Sequence, residues 1–501
     1  MGVYSKAIRN SNGINYTKEV DSSVDYSGIT NNTYFKDLSD GLIYWKNGGG
    51  TVIGLFEAGG ASGKLAIYSS GGTPTYYSDW TSVMSAATSG DVIVQLANIT
   101  ETSNVEIAVK AGVIIDMGKY TYTLNTSGTT SAFKITTAGT FKGRYNVKRL
   151  GSTSTSGHQN LCMSIELGVD GTNNIYDFEG SNFEGYRSMR IQNGSYNSGT
   201  IIDAGTHTST GYIAVEANTV TIHKIKVYST AVDGTNPEYA ACIYGNFATI
   251  ENAVVKQTGT GCGIYLYSNS TLRNSSAFSN LKKGIDAGGA TLVEFCNSKS
   301  NSDNGIYSVS ITRKCVAESN GTHGHYQFQG RSEDCTGISS VGVGFFSYQA
   351  TDVNCSGIST GSSGHYSRDG NSINPKGYST VAYGGINYRS KVTKGDYLAT
   401  SSVAASSTSS PDILTEWIDC TFTTTWNSAN GHAYESFGNL EELVNCTFVV
   451  ANTSAYGIYA ASAVTIKFAP YVGKGMTTFN HTNVTQGQVN TQNNFGGILI
   501  G

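Results

Sequence analysis

Apolar positions along the chain recur at a period of about 20 residues, not at the spacings of 3 and 4 that mark an amphipathic helix. Between residues 263 and 387, a glycine followed by a mostly apolar or aromatic pair occurs seven times, in steps of 21, 21, 19, 20, 20 and 21 residues. The glycines are Gly263, Gly284, Gly305, Gly324, Gly344, Gly364 and Gly385. Each repeat is too short for two helices, and the leucines and asparagine of leucine-rich repeats are missing. The pattern therefore predicts a parallel β-helix with one coil per repeat.

A column of cysteines keeps the same period. Cys296, Cys315, Cys335 and Cys355 lie 19 or 20 residues apart, and a small residue follows each of them two positions later. Equivalent positions of successive coils stack about 4.8 Å apart, so the sequence predicts a row of buried thiols. The remaining cysteines form no CxxC pair, and we predict neither a disulfide framework nor a zinc site.

The glycine-led repeats also predict an outward row. Side chains alternate along a strand, so an inward-facing Ile264, Ile285, Ile306 and Phe345 would leave the next residue of each coil facing outward. This row comprises Tyr265, Asp286, Tyr307, Tyr326, Phe346 and Tyr366. Such an aromatic surface is expected either to pack against a sister subunit or to bind sugar rings. The opposite facing, with partly buried tyrosines, is the alternative.

Residues 1–75 lack the 20-residue period and are interpreted as a separate N-terminal module. The β-rich runs 42–46 and 51–56 flank an Asn-Gly turn and predict a hairpin. An isolated hairpin is barely stable in water, so this module is expected to join subunits or to attach the protein to a larger assembly. Residues 59–64 depart from a phosphate-binding loop and are interpreted as a linker.

The β-helix is predicted to occupy residues 76–400. A short helix from Trp80 to Ala87, with its N-cap at Ser78 or Asp79, would cover the open end of the core. The coils between residues 125 and 260 are less regular, and excursions are predicted at 152–159, 171–174 and 230–238.

Beyond residue 400 the period weakens. The Ser/Thr-rich stretch 401–411 is interpreted as a loop, and residues 401–480 as an irregular continuation of the β-helix. Within it, residues 418–422 are echoed 26 positions later by 444–448. The tail 481–501 ends on an apolar run and is predicted to dock or to contact another chain.

Residues 76–480 resemble the pectin-lyase-like right-handed β-helix proteins. The resemblance rests on the helix followed by Gly90-Asp91-Val92-Ile93-Val94 and Gly112-Val113-Ile114-Ile115, and on the later Gly-Ile-Tyr and Asn-Cys-Thr-Phe coils. It implies an all-β fold, a right-handed single-stranded parallel β-helix of about 20 residues per coil with a short capping helix and a small β-rich N-terminal module.

Within this superfamily, the N-terminal module, the Ser/Thr/Asn-rich coils and the 32 tyrosines resemble bacteriophage tailspikes and tail fibres. This resemblance implies a virion protein, assembled in the host cytoplasm, that forms a homotrimer and binds host surface polysaccharide. Its N-terminal module would contact other tail proteins. The alternatives are a glycan depolymerase, either a polysaccharide lyase or a glycoside hydrolase, and a bacterial surface adhesin.

Composition gives little reason for other partners. The net charge is -4 and the isoelectric point is near 6.1, which does not favour nucleic acid. No apolar run approaches 18 residues, so no membrane insertion is predicted. The first residues lack the apolar stretch of a secretion signal, and no cofactor is predicted.

The sequence leans against catalysis. Glycan hydrolysis needs two carboxyl groups about 5 to 9.5 Å apart, and only Asp334, Asp352 and Asp369 offer weak candidates. The column formed by Glu294, Arg313 and Glu333 predicts an ion-pair ladder instead. The histidines give no metal site, because His325 and His365 would lie two coils apart; His323 adds no third ligand, since Gly324 marks a turn.

Overall fold

The protein is an all-β right-handed parallel β-helix, and the predicted fold class is confirmed. The computed structural model describes residues 63–69, 74–153, 159–192, 196–232, 240–408, 414–428, 430–437, 440–444, 446–451, 458–460 and 465–468, and the backbone of six strands before residue 63. The chain divides into two compact units, residues 1–208 with 219–226, and residues 209–218 with 227–501.

The strands are short, and one helix occurs among the described residues. In chain order, the elements up to residue 229 are β1 (Val3–Tyr4), β2 (Ile8–Arg9), β3 (Asn15–Val20), β4 (Thr33–Asp37), β5 (Ile43–Lys46), β6 (Val52–Gly54), β7 (Leu65–Tyr68), β8 (Thr75–Tyr77), α1 (Trp80–Ala86), β9 (Val92–Gln95), β10 (Ile99–Glu101), β11 (Ile107–Ala108), β12 (Ile114–Asp116), β13 (Tyr122–Asn125), β14 (Phe133–Ile135), β15 (Thr140–Arg144), β16 (Asn146–Leu150), β17 (Met163–Glu166), β18 (Ile175–Asp177), β19 (Asn182–Gly185), β20 (Met189–Gln192), β21 (Thr200–Asp203), β22 (Thr206–Ser209), β23 (Val215–Asn218), β24 (Thr221–Ile222) and β25 (Ile225–Ser229).

The later strands follow the 20-residue period. They are β26 (Ile243–Asn246), β27 (Thr249–Glu251), β28 (Ala253–Gln257), β29 (Ile264–Leu266), β30 (Thr271–Arg273), β31 (Ser276–Ser279), β32 (Ile285–Ala287), β33 (Leu292–Glu294), β34 (Asn297–Ser300), β35 (Ile306–Ser308), β36 (Ile311–Arg313), β37 (Val316–Ser319), β38 (His325–Phe328), β39 (Arg331–Glu333), β40 (Thr336–Ser339), β41 (Phe345–Tyr348), β42 (Thr351–Val353), β43 (Ser356–Ser359), β44 (His365–Arg368), β45 (Asn371–Ile373), β46 (Lys376–Ser379), β47 (Gly385–Tyr388), β48 (Lys391–Thr393), β49 (Asp396–Ala399), β50 (Ala405–Thr408), β51 (Thr415–Ile418), β52 (Thr421–Thr424), β53 (Tyr434–Ser436), β54 (Leu440–Val444), β55 (Thr447–Val450), β56 (Ile458–Ala460) and β57 (Thr465–Phe468).

Each coil contributes one strand to each of three parallel sheets. Sheet 1 takes β9 and every third strand after it, sheet 2 takes β10 and every third strand, and sheet 3 takes β11 and every third strand. In the first unit the orders are β9-β12-β15-β18-β21-β24, β10-β13-β16-β19-β22 and β11-β14-β17-β20. In the second unit they run from β27 to β57, from β25 to β55 and from β23 to β56. Both units therefore contain the same three-sided coil.

The N-terminal hairpin is confirmed. Strand β5 pairs antiparallel with β6, with Lys46 opposite Val52, and β4 pairs antiparallel with β5. Strand β7 pairs antiparallel with β9, so sheet 1 already includes residues before the predicted boundary at 75. Residues 59–62 of the predicted linker lie outside the described residues, and the role of the N-terminal module stays a prediction.

The predicted capping helix is present as α1. The Asp79 side chain is its N-cap and accepts a hydrogen bond from the Ser82 amide at 2.8 Å. Trp80 is buried and meets the rings of Tyr122 and Phe133 edge-on, at centroid distances of 6.3 and 5.3 Å. The helix thus covers apolar side chains at the first coils of the core.

The cysteine row is confirmed. Cys296, Cys315, Cys335 and Cys355 are at most 1% exposed, and the Cys296 amide donates to the Cys315 Sγ at 3.4 Å. All nine cysteines are buried free thiols. Backbone hydrogen bonds continue this column through Pro375, Gly395 and Cys420, which explains why residues 418–422 and 444–448 echo each other.

A buried serine column shapes the turn between sheets 2 and 3. It comprises Ser279, Ser300, Ser319, Ser339, Ser359 and Ser379. Each Oγ donates to a carbonyl of the preceding coil at 2.5 to 2.8 Å, and each accepts from turn amides that follow it. Because donor and acceptor are both satisfied, burying the hydroxyl costs little free energy.

Within the predicted loop 401–411, sequence reasoning was wrong about residues 405–408. The structure has strand β50 inside that range, paired with β47, with Ala405 opposite Gly385. Small polar side chains suit this position because the coil on either side supplies the pairing, so a Ser/Thr-rich composition does not mark a loop in a stack. Residues 409–411 lie outside the described residues, and so does the tail 481–501. Of the three predicted excursions, 171–174 is a turn in which the Asn174 amide donates to Gly171 O at 2.7 Å. Residues 154–158 and 233–238 of the other two lie outside the described residues.

Candidate functional site

The outer surface of sheet 3 in the second unit carries the predicted row. Ile264, Ile285, Ile306 and Phe345 are fully buried, so the predicted facing is confirmed. The strand registers align the residues after them, one coil apart, in the order Tyr244, Tyr265, Asp286, Tyr307, Tyr326, Phe346 and Tyr366. Apart from the more buried Asp286, these side chains are half-buried.

Four of these rings form a continuous run. The centroid distances are 5.4 Å from Tyr307 to Tyr326, 4.8 Å from Tyr326 to Phe346 and 4.8 Å from Phe346 to Tyr366. His323 packs on the same surface, 5.1 Å from the Phe346 ring, and burial lowers its pKa. Four rings spaced by about 4.8 Å cover about 14 Å of the surface.

An ion pair interrupts the row before this run. Asp286 is 8% exposed, and its Oδ2 lies 2.8 Å from the Lys283 Nζ. The same ammonium group lies 4.1 Å from the centroid of the Tyr307 ring. The predicted residue Asp286 is therefore held by a cation that also covers one end of the aromatic run.

A second outward column, which sequence analysis missed, runs beside the first. Phe328, Tyr348, Arg368 and Tyr388 are aligned in register at the ends of β38, β41, β44 and β47. The Phe328 and Tyr348 rings stack at 5.2 Å, and the Phe328 ring meets Tyr326 edge-on at 6.3 Å. The signal in the sequence was the residue four positions after Gly324, Gly344, Gly364 and Gly384. We call the two columns from Tyr307 to Tyr388 the aromatic face.

The aromatic face carries hydrogen-bond donors as well as apolar area. Burial raises the pKa of Tyr307, Tyr326 and Tyr366 above the ordinary value of a phenol. These hydroxyl groups therefore stay protonated at neutral pH and can donate. A surface with aromatic rings and hydroxyl donors is suited to a ligand that has both C–H groups and hydroxyl groups.

The three weak catalytic candidates are not brought together on the surface. Asp352 is completely buried in the core, where its carboxylate accepts from Ser372 Oγ at 2.8 Å and contacts His365 Nε2 at 3.1 Å. A buried side chain cannot present its carboxylate to a polymer, so Asp352 forms no surface pair with Asp334 or Asp369. Asp334 lies in an exposed turn with φ of 53° and accepts from Asn354 Nδ2 at 3.0 Å.

The third candidate, Asp369, belongs to an ion pair. Arg389 contacts both of its oxygens: Nη2 donates to Oδ2 at 2.7 Å, and Nε lies 2.6 Å from Oδ1 as an ion pair. Both residues occupy the left-handed turn between sheets 3 and 1, with φ of 55° and 50°. The bidentate contact is a consequence of their stacking on successive coils.

The ion-pair ladder on sheet 1 is confirmed and extends further than predicted. Glu251, Arg273, Glu294, Arg313 and Glu333 are aligned in register. Arg273 lies 3.4 Å from Glu294, and Arg313 lies 2.9 Å from Glu333. These acidic side chains are paired with arginines in adjacent coils.

One carboxylate pair that sequence analysis missed lies in the first unit. Asp177 and Asp203 are register partners on sheet 1, so their backbones are one strand spacing apart. Burial raises the pKa of Asp177, and the neighbouring Glu179 and Asp203 add to the rise. Asp203 contacts Lys224 Nζ at 2.6 Å. The less regular coils of this region gave no periodic signal for the pair.

Two histidines occupy the inward-facing positions of sheet 3 that Ile306 and Phe345 occupy in neighbouring coils. His325 and His365 are fully buried and stack on the two sides of Phe345, at 4.7 and 5.4 Å. Within the described residues, no group of three or more His, Cys, Asp or Glu side chains is arranged to hold a metal ion. Across the same residues, no helix is long and apolar enough to cross a membrane.

Comparison with known proteins gives only distant similarities. No family model and no curated protein matches the sequence. The A-module of the Azotobacter vinelandii mannuronan C-5 epimerase AlgE4 is similar with a TM-score of 0.30 and 10% identity, over 71% of this chain and 90% of that chain. A mutant tailspike protein of E. coli bacteriophage HK620, in complex with a hexasaccharide, has a TM-score of 0.26 and 10% identity, over 69% and 73%. At these TM-scores the fold assignment rests on the strand pairing.

Proposed function

We propose that the protein is a bacteriophage attachment protein of the tailspike or tail-fibre type, and that its aromatic face binds a glycan of the host surface. The single observation that supports this function is the run of four rings on sheet 3 with a second aromatic column beside it. Sugar rings present C–H groups that pack on the electron-rich face of an aromatic ring. Their hydroxyl groups can accept from the tyrosine hydroxyls.

The composition of the face favours a glycan over a sister subunit. The centre of an interface between subunits of an obligate oligomer contains few charged residues. Here Lys283 and Arg368 lie directly against Tyr307 and Tyr348. The proposed homotrimer therefore forms through other surfaces, and residues 1–75 attach it to other tail proteins.

Removing two rings is expected to weaken glycan binding about 30-fold. Each stacked aromatic ring contributes about 1 kcal/mol, and the double variant Tyr326→Ala/Tyr348→Ala removes one ring from each column. Binding is measured on an array of bacterial capsular polysaccharides and lipopolysaccharides, followed by titration of the glycan with the strongest signal.

Phe278→Ala is the matched control. Phe278 is half-buried on the outer surface of sheet 2 and lines a shallow groove of about 290 Å³ with Lys299 and Glu318. It should keep wild-type affinity. A loss with Phe278→Ala but not with the double variant would contradict the assignment to sheet 3, and so would a chain that binds no glycan on the array.

A second candidate function, glycan cleavage, is favoured by the Asp177 and Asp203 pair. One carboxyl group with a raised pKa next to a second one that is paired with a lysine is the arrangement of an acid and a base or nucleophile. If the pair is catalytic, incubation with the bound polysaccharide releases shortened chains on size-exclusion chromatography, and Asp177→Asn stops their release. The exposed Asp170→Asn is the control. Unchanged chain length with the wild-type protein supports binding without cleavage.

A further inference from the structure

We propose that Arg368 binds a carboxylate group of the glycan, so that the ligand of the aromatic face is an acidic polysaccharide containing uronic acid or another carboxylated sugar. This inference rests on the proposed function and adds the chemical class of the ligand. It comes from the position of one guanidinium group within the aromatic face.

Arg368 is fixed between two tyrosine rings. It stands between Tyr348 and Tyr388 in the second outward column, one strand spacing from each. Its guanidinium carbon lies 5.1 Å from the centroid of the Tyr348 ring and 5.0 Å from that of Tyr388. Two such contacts hold the planar group in one orientation. The side chain nevertheless remains 40% exposed.

The charge of Arg368 is not matched by a carboxylate of its own. Its closest acidic contact among the described residues is Asp369 Oδ2, 3.6 Å from its Nε, beyond hydrogen-bond distance. That carboxylate is already bound at both oxygens by Arg389. Within the described part of the chain, neither arginine has another carboxylate within ion-pair distance. Two guanidinium groups therefore share one carboxylate, and an excess positive charge lies on the aromatic face.

The geometry favours a carboxylate as the group that balances this charge. A guanidinium edge presents two parallel N–H groups that match the two oxygens of a carboxylate. One coil away, Arg389 contacts both oxygens of Asp369, through a hydrogen bond from Nη2 and an ion-pair contact from Nε. The faces of the Tyr348 and Tyr388 rings are covered by Phe328, Arg368 and Arg389, so a sugar would lie across the outer edges of these rings. It would then place an acidic substituent beside the exposed edge of Arg368.

The test compares each polysaccharide of the array in its native form and after carboxyl reduction with carbodiimide and borohydride. We expect the native form to bind at least 10-fold more tightly than the reduced form. Arg368→Met should lower the affinity for the native form at least 10-fold and change that for the reduced form less than 2-fold. Arg368→Lys keeps the positive charge but lacks the two parallel N–H groups of the guanidinium. It should therefore restore only part of the affinity that Arg368→Met loses.

Arg331→Met is the matched control for net charge. Arg331 lies on sheet 1, its side chain is 48% exposed, and it is paired with Glu333. Equal binding of native and reduced polysaccharide, or binding of neutral glycans alone, overturns the inference and leaves the proposed function standing. An equal loss with Arg331→Met also overturns it, because the effect would then be one of overall charge. Absence of binding to every polysaccharide overturns the proposed function and this inference with it.

Discussion

Replacing Arg149 with methionine is expected to lower the free energy of unfolding of the first unit by about 4 kcal/mol. The guanidinium is 1% exposed, and it donates to the carbonyl oxygens of Thr130, Thr126 and Gly128 at 3.1, 3.0 and 2.6 Å. It also donates to Leu150 O and to Asn160 Oδ1. Burial lowers its pKa, yet an arginine stays charged in proteins, so protein carbonyls alone replace its hydration shell.

The expected loss follows from the acceptors that the methionine leaves behind. Each buried carbonyl without a donor costs about 1 to 3 kcal/mol, and the relief of burying a charge offsets part of the sum. Unfolding in guanidinium chloride is followed by the fluorescence of the buried Trp80. Arg144→Met is the control, since its guanidinium is 40% exposed and bound to Asp116; a loss of about 1 kcal/mol is expected. Equal losses for both variants would contradict the structural role of Arg149.

The buried pair of Asp352 and His365 gives the second large effect. Asp352→Val should destabilise the second unit by about 3 to 5 kcal/mol, because it leaves the His365 Nε2 and the Ser372 hydroxyl without their partner in the core. The double variant Asp352→Val/His365→Phe should recover at least half of this loss. Its two apolar side chains match Val392 and Phe345, which occupy the same inward columns.

A double-mutant cycle measures this coupling through the fluorescence of Trp417, which is buried in the second unit. Asp396→Val, at an exposed position of sheet 2, should change the stability by less than about 0.5 kcal/mol. If the double variant loses as much stability as Asp352→Val alone, or more, the expectation is refuted.

Regular repeats made much of the second unit predictable. The glycine-led pairs gave the facing of sheet 3, because an inward Ile264 and Ile306 fix Tyr265 and Tyr307 on the outer side. The same alternation would have placed Asp352 in the core. The column of Arg313 and Glu333 faces outward and continues at Val353. Asp352 is the residue before Val353, so its side chain faces inward.

The parts that escaped prediction have no periodic signal of their own. The second column of the aromatic face varies from Phe328 through Arg368 to Tyr388, and only the strand register shows that these residues are neighbours. Asp177 is aligned with Asp203 because the strand register shifts by one residue after Tyr176. A sequence pattern does not reveal such a shift. Strand β50 has the composition of a loop and owes its conformation to the strands on either side.

The cysteine and serine columns make the coil between Cys335 and Cys355 an interchangeable unit. Residues 316–335, 336–355 and 356–375 place a serine at the same turn, and the first two end on a cysteine of the same column. Loss or duplication of one such unit would join equivalent backbone positions and keep the serine column in register, although loss of residues 336–355 would also remove Asp352 from His365 and Ser372. The second unit would change in length by about 4.8 Å per unit. A lineage could thus adjust the number of stacked rings on its outer surface while the serine column of the interior stays in register.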